Sequence, residues 1–120
     1  VSNENLKLRT KQFALRVIKL VENLPHDITS SVLGRQLLRA GTSVGANYGA
    51  VCRSKSAADF ISKMGTVEEE ADESGYWLEL LVDAGKIKAT KTSALLQEAN
   101  ELTAIAVSSI NTARKSKSRH

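Results

Sequence analysis

The stretch Gln36–Ser56, QLLRAGTSVGANYGAVCRSKS, constrains the chain most. Gly41, Gly45 and Gly49 recur at every fourth position, with Ser43, Ala46, Asn47 and Ala50 among them. Fourth neighbours stack on one side of a helix, so this pattern makes a strip without side chains. The segment has no proline, and helix is the reading that gives the spacing a purpose. With Gly34 the helix holds four glycines, each costing about 1 kcal/mol relative to alanine. Close approach of another backbone is the compensation the sequence suggests. The other helices are therefore expected to assemble around this one.

Helix formers dominate the rest, with one proline and only 4% aromatic residues. The hydrophobic share of 42% and charged share of 25% fit a globular chain, and 120 residues fit a single domain. In the first helix, expected over 3–24, Leu6, Thr10, Phe13, Val17, Leu20 and Leu24 form one seam, and Pro25 marks the stop. Asp27 is an N-cap for a second helix over 28–53, with Leu33, Leu37, Ala40, Val44, Asn47 and Val51 in its seam. Ser56 and Asp59 resemble a capping box for a third helix over 56–84, stopped by Gly85. Phe60, Met64, Val67, Ala71, Ser74, Leu78 and Leu81 line it. A fourth helix is expected over 92–113 around Leu95, Ala99, Leu102 and Ala106, followed by a mobile basic tail, 114–120. The sum is an all-α fold, an antiparallel up-down-up-down four-helix bundle.

Several apolar residues fall off these seams. Leu8, Leu15 and Ile18 in the first helix, and Tyr76 and Leu80 in the third, would stay wet in a lone bundle. Contiguous exposed apolar patches mark interfaces, so a homo-oligomer is expected. Gly41, Gly45 and Tyr48 join them as candidate interface residues, because the glycine-lined side can press on a neighbour.

The search for chemistry returns little. His26 follows a proline, His120 ends the chain, and neither has a partner at metal-ligand spacing. Cys52, the only cysteine, excludes an intramolecular disulfide and has no histidine nearby in sequence to activate it. Gly-Thr-Ser-Val-Gly lacks the Gly-Lys-Ser/Thr ending of a phosphate loop. No enzyme activity, cofactor or metal is expected. An enzyme would need a buried polar pocket joining Arg39, Asn47 and Glu70. A structural polar cluster is the expected role of Arg39, Asn47, Arg53, Glu68 and Glu70, with Arg39 or Arg53 pairing Glu68 or Glu70 and Asn47 setting register in its seam. Glu69, Asp72 and Glu73 are expected on a solvated face.

The net charge of +4 is unevenly placed. Lys7, Arg9, Lys11, Arg16 and Lys19 make the first helix basic, and the connector adds Lys86, Lys88 and Lys91. The tail adds Arg114, Lys115, Lys117 and Arg119, whereas 68–83 is acidic. The five basic residues of the first helix are the candidate nucleic-acid-binding set, through weakly sequence-specific phosphate contacts. No apolar run reaches membrane-span length and no secretory signal is visible, so a cytoplasmic protein is expected.

LLRAGTSVGANYGAVCRSKSAADFISKM, followed by EEADESGYWLELL, resembles the four-helix proteins encoded by intervening sequences within bacterial 23S rRNA genes, sometimes labelled ribosomal. Ser43, Val44 and Asn47, the Glu-Ala-Asp-Glu run and Tyr76-Trp77-Leu78 carry the match, which covers about 13–88. The resemblance implies a pentameric ring or barrel. It also implies kinship with the basic accessory protein of diversity-generating retroelements, which binds reverse transcriptase and nucleic acid. Relatives commonly carry an acidic residue where this chain has Ala50, implying a weakened polar cluster. The expected function is a non-enzymatic oligomeric bundle associated with rRNA or a ribonucleoprotein. The alternative is a protein-interaction scaffold without nucleic acid, with a reverse-transcriptase-like protein among the possible partners.

Overall fold

The computed structural model describes residues 3–118. It contains four helices, α1 (Asn3–Glu22), α2 (Ile28–Val51), α3 (Ala57–Asp83) and α4 (Ala89–Ser118), and no strand among the described residues. Arg119 and His120 lie outside that range. The helices form a four-helix bundle, a rod of 53 × 21 × 21 Å.

Local chemistry sets most of the boundaries. Leu24, before Pro25, leaves the helix, and the amides of Asn23 and Leu24 close the last turn onto Leu20 and Val21. Asp27 caps α2 by accepting the Ser30 amide at 2.8 Å. Ser56 caps α3 by accepting the Asp59 amide at 3.0 Å, and the Asp59 carboxylate accepts the Lys55 amide in return. Gly85, at φ 73°, ends α3. The amide of Lys86 reaches the Leu81 carbonyl and that of Gly85 reaches Val82, the double bond of a Schellman stop.

Helix α4 departs from expectation. It begins at Ala89, earlier than Thr92, and continues to Ser118 through residues read as a mobile tail. No glycine or proline follows Gly85 to break it, and Lys115 and Lys117 sit where the helix dipole favours cations.

The four seams meet in one core, including Phe13 and Val17 of α1, Leu37 and Val44 of α2, Leu78 and Leu81 of α3, and Leu102 and Ala106 of α4. Each large side chain buried there contributes about 2–3 kcal/mol. The buried hydroxyls bond within their own helices. Thr10 donates to the Leu6 carbonyl at 2.8 Å, and Ser74 to that of Glu70 at 2.8 Å. Among the described residues no buried side-chain polar atom lacks a partner.

Helix α1 packs on α2, α2 on α3 and α3 on α4, while α4 returns to α1 along a thinner seam. The glycines explain the close side. Gly34 faces Val21 and Leu24, Gly41 faces Val17, and Gly45 faces Thr10. The strip is thus covered by α1 of the same chain. Gly41 and Tyr48 are buried within the chain, so neither offers a free surface to another copy, and Gly45 is half-buried against Thr10.

Candidate nucleic-acid and assembly surfaces

Five basic residues of α1 divide into two groups. Arg9 is committed within the chain. It grips Glu98 of α4 with two donors, Nη2 at 2.6 Å and Nε at 3.1 Å, and touches Glu101 at 3.4 Å. The Glu98 hydrogen bond, reinforced by both carboxylates, raises the Arg9 pKa despite partial burial. The pair bridges the thin α1–α4 seam, so Arg9 is a structural clamp. Nothing in the sequence marked it, because its partner lies far along the chain. Lys7, Lys11, Arg16 and Lys19 are exposed and form no ion pair among the described residues.

The polar cluster is realised in part. Arg39 pairs with Glu70 at 3.3 Å, as expected, and also with Glu73 at 2.8 Å. The Glu73 hydrogen bond is the main cause raising the Arg39 pKa, with Glu70 next. Glu73, expected on a solvated face, stands one turn from Glu70 and so reaches the same guanidinium. Trp77 Nε1 donates to the second oxygen of Glu73 at 3.4 Å, which ties the indole to the same cluster.

The other three cluster residues stay apart. Asn47 is half-buried and donates to the Ser43 carbonyl of its own helix at 2.8 Å. A side-chain amide can satisfy itself this way within one turn, and Asn47 makes no cross-helix bond among the described residues. Arg53 is exposed and Glu68 half-buried, and neither forms an ion pair among the described residues. Arg39 forms these pairs with alanine at position 50.

Apolar exposure follows the expected list only in part. Leu8, Leu15 and Tyr76 are 55%, 56% and 56% exposed, whereas Ile18 and Leu80 are half-buried. Ile28, Val32 and Val107 are also exposed, and sequence reasoning missed them. The Tyr76 ring stands edge-on to Trp77, with centroids 5.0 Å apart.

Two open hollows flank α1. One, of about 660 Å³, lies under the α1–α2 turn between Val21, Leu24, Ile28 and Leu38. The other, of about 540 Å³, opens on the α1–α4 seam and carries Arg16, Lys19 and Lys91. Lys86, the other connector cation with a clear role, pairs with Asp27 at 3.5 Å. Burial, with Cys52 alongside, pushes the Tyr48 hydroxyl up to about 12. No group of three or more His, Cys, Asp or Glu among the described residues could hold a metal. No described helix is long and apolar enough to cross a membrane.

The profile of the 23S rRNA-intervening sequence protein family matches residues 5–108. The fold is also that of a crystallised protein of unknown function from the S23 ribosomal protein family of Bacteroides thetaiotaomicron. The two chains are 33% identical, with a TM-score of 0.81, and the match covers 88% of this chain and 97% of the other. No curated protein matches.

Proposed function

This chain belongs to the 23S rRNA-intervening sequence protein family, and from that premise we propose that it is a non-enzymatic, self-assembling bundle that associates with rRNA or a ribonucleoprotein. The observation that carries the reading is the unpaired basic face of α1. Lys7, Lys11, Arg16 and Lys19 are exposed without an acidic partner among the described residues, while Arg9, Arg39, Lys63 and Lys86 are spent inside the chain. Such cations release counterions when they meet phosphates. Few contacts per chain become useful avidity when copies assemble.

The bundle runs up-down-up-down with antiparallel neighbours. Support comes from the register, since α2 glycines of rising number meet α1 residues of falling number. Assembly as a pentamer rests on family resemblance, and the exposure of Leu8, Leu15 and Tyr76 supports burial against a second copy. A cytoplasmic setting accompanies rRNA association.

Filter binding of an rRNA fragment across a salt series tests the function. Affinity is expected to fall steeply as salt rises, and absent or salt-insensitive binding overturns the reading. The same exposed apolar residues favour a protein-interaction scaffold as the second reading. A specific protein partner that survives nuclease treatment, with no RNA binding, would select it.

A further inference from the structure

We propose that copies of this chain assemble head to tail, with the acidic outer face of α3 of one copy seated on the basic α1–α4 groove of the next. This rests on the self-assembly reading above and assigns it two surfaces, one of them carrying Tyr76, with Leu8 and Leu15 outside both.

The groove has a rim of cations, Arg16, Lys19 and Lys91, over an apolar floor of Leu20, Ile87 and Leu95. No carboxylate lines it, and none of the three cations has an ion pair among the described residues. It exists because α1 and α4 meet along the thinnest seam of the bundle. Its natural occupant has an apolar ridge flanked by carboxylates, which is the helix-in-groove arrangement.

Helix α3 presents that ridge. Glu69, Asp72, Tyr76, Leu80 and Asp83 follow a three-four spacing and fall on one face, away from the core line of Ala71, Ser74 and Leu78. The three carboxylates are exposed and form no ion pair among the described residues. Tyr76 is the exposed aromatic anchor, braced by Trp77. Three unpaired cations around apolar side chains thus meet three unpaired anions around apolar side chains. RNA phosphates compete for Arg16 and Lys19, but the apolar floor and the lack of an aromatic side chain in the lining to stack a base favour a helix there.

Position agrees with charge. The Lys86–Asp27 pair ties the α3–α4 turn to the α1–α2 turn. The groove and the acidic end of α3 therefore share one end of the rod. They face different sides of the rod, because the groove opens between α1 and α4 and α3 stands diagonally across from α1. Level surfaces on different sides, joined between parallel copies, add no rise along the rod. Such a heterologous contact forms a ring when the rotation between neighbours closes and an open filament when it does not. The assignment also leaves Lys7 and Lys11 as the α1 cations free for phosphate.

Light scattering of the full chain and its variants tests this. Lys19→Glu with Lys91→Glu, and separately Asp72→Lys with Asp83→Lys, are each expected to reduce the wild-type assembly to monomer. All four changes in one chain restore the complementarity and are expected to restore the assembled mass. An equimolar mixture of the two double variants is expected to pair through one native and one reversed interface. Tyr76→Ala, at an exposed site that cannot unsettle the core, is expected to weaken assembly at least tenfold. An assembled wild type whose mass resists both reversals and Tyr76→Ala overturns this assignment alone. A four-fold variant that is helical by circular dichroism yet monomeric overturns it as well. A monomeric wild type overturns the assembly reading beneath it.

Discussion

Gly41 of α2 lies so close to Val17 of α1 that a Cβ placed on it would fall 2.8 Å from Val17 Cγ2 and 2.9 Å from Cγ1. Val17 is fully buried and β-branched, with no freedom to swing aside. The missing side chain is what lets these two helices meet.

Gly41→Ala is therefore expected to destabilise the fold by about 1–3 kcal/mol from overpacking, outweighing the helix-propensity gain of about 1 kcal/mol. Gly65 of α3 has nothing within 4 Å of the same atom. Gly65→Ala is expected to stabilise by about 1 kcal/mol. Urea unfolding of both variants checks the opposite signs, and two stabilised proteins would refute the contact.

The Arg9–Glu98 clamp spans the seam that apolar packing leaves thin. A double-mutant cycle with Arg9→Gln and Glu98→Gln is expected to give a coupling of about 1 kcal/mol, near the upper end for exposed pairs because the grip is bidentate and half-buried. The coupling should shrink in high salt. Zero coupling at low salt would show the pair to be incidental.

Two carboxylates in the first turns of helices, the N-cap Asp27 and Asp59 of α3, are held below their ordinary range. For Asp27 the main cause is the Ser30 amide, and for Asp59 it is the Lys63 ammonium. A lowered folded-state pKa contributes stability that is present above the unfolded value, near 3.8, and is lost as pH falls through the folded value. Melting temperature should thus fall with pH below about 4. Asp27→Asn keeps an acceptor for the cap while removing the charge, so it should flatten part of that acid limb. An unchanged acid limb would remove Asp27 from the account.

Lys7 and Lys11 are exposed and form no ion pair among the described residues. Changing both to glutamine is expected to reduce the slope of log affinity against log salt by about 2 per bound chain, with equal loss across RNA sequences. The assembled mass should not change. A loss confined to one RNA sequence would mean that bases, not phosphates, are contacted.

The chain made much of this legible. Periodicity placed the seam residues, because burying an apolar stripe is a local demand on each helix. Asp27, Ser56 and Gly85 marked ends because capping uses residues within one turn of each other. The pairing of Arg39 with Glu70 was also readable, since both flank adjoining seams. Asn47 was misread. Its seam position suggested a cross-helix role, yet the Ser43 carbonyl one turn back satisfies the amide at no cost in geometry.

The sequence by itself determined four helices, their approximate limits and the faces they bury, since these follow from spacing within one helix. Which partner each face meets was decided only in three dimensions. The strip of Gly41 and Gly45 announced a close neighbour, but a missing side chain carries no record of what fills the space. Tertiary packing put α1 of the same chain there. It likewise turned Arg9 inward to Glu98, because a charge on a helix surface is free or paired according to what distant helix lies beside it.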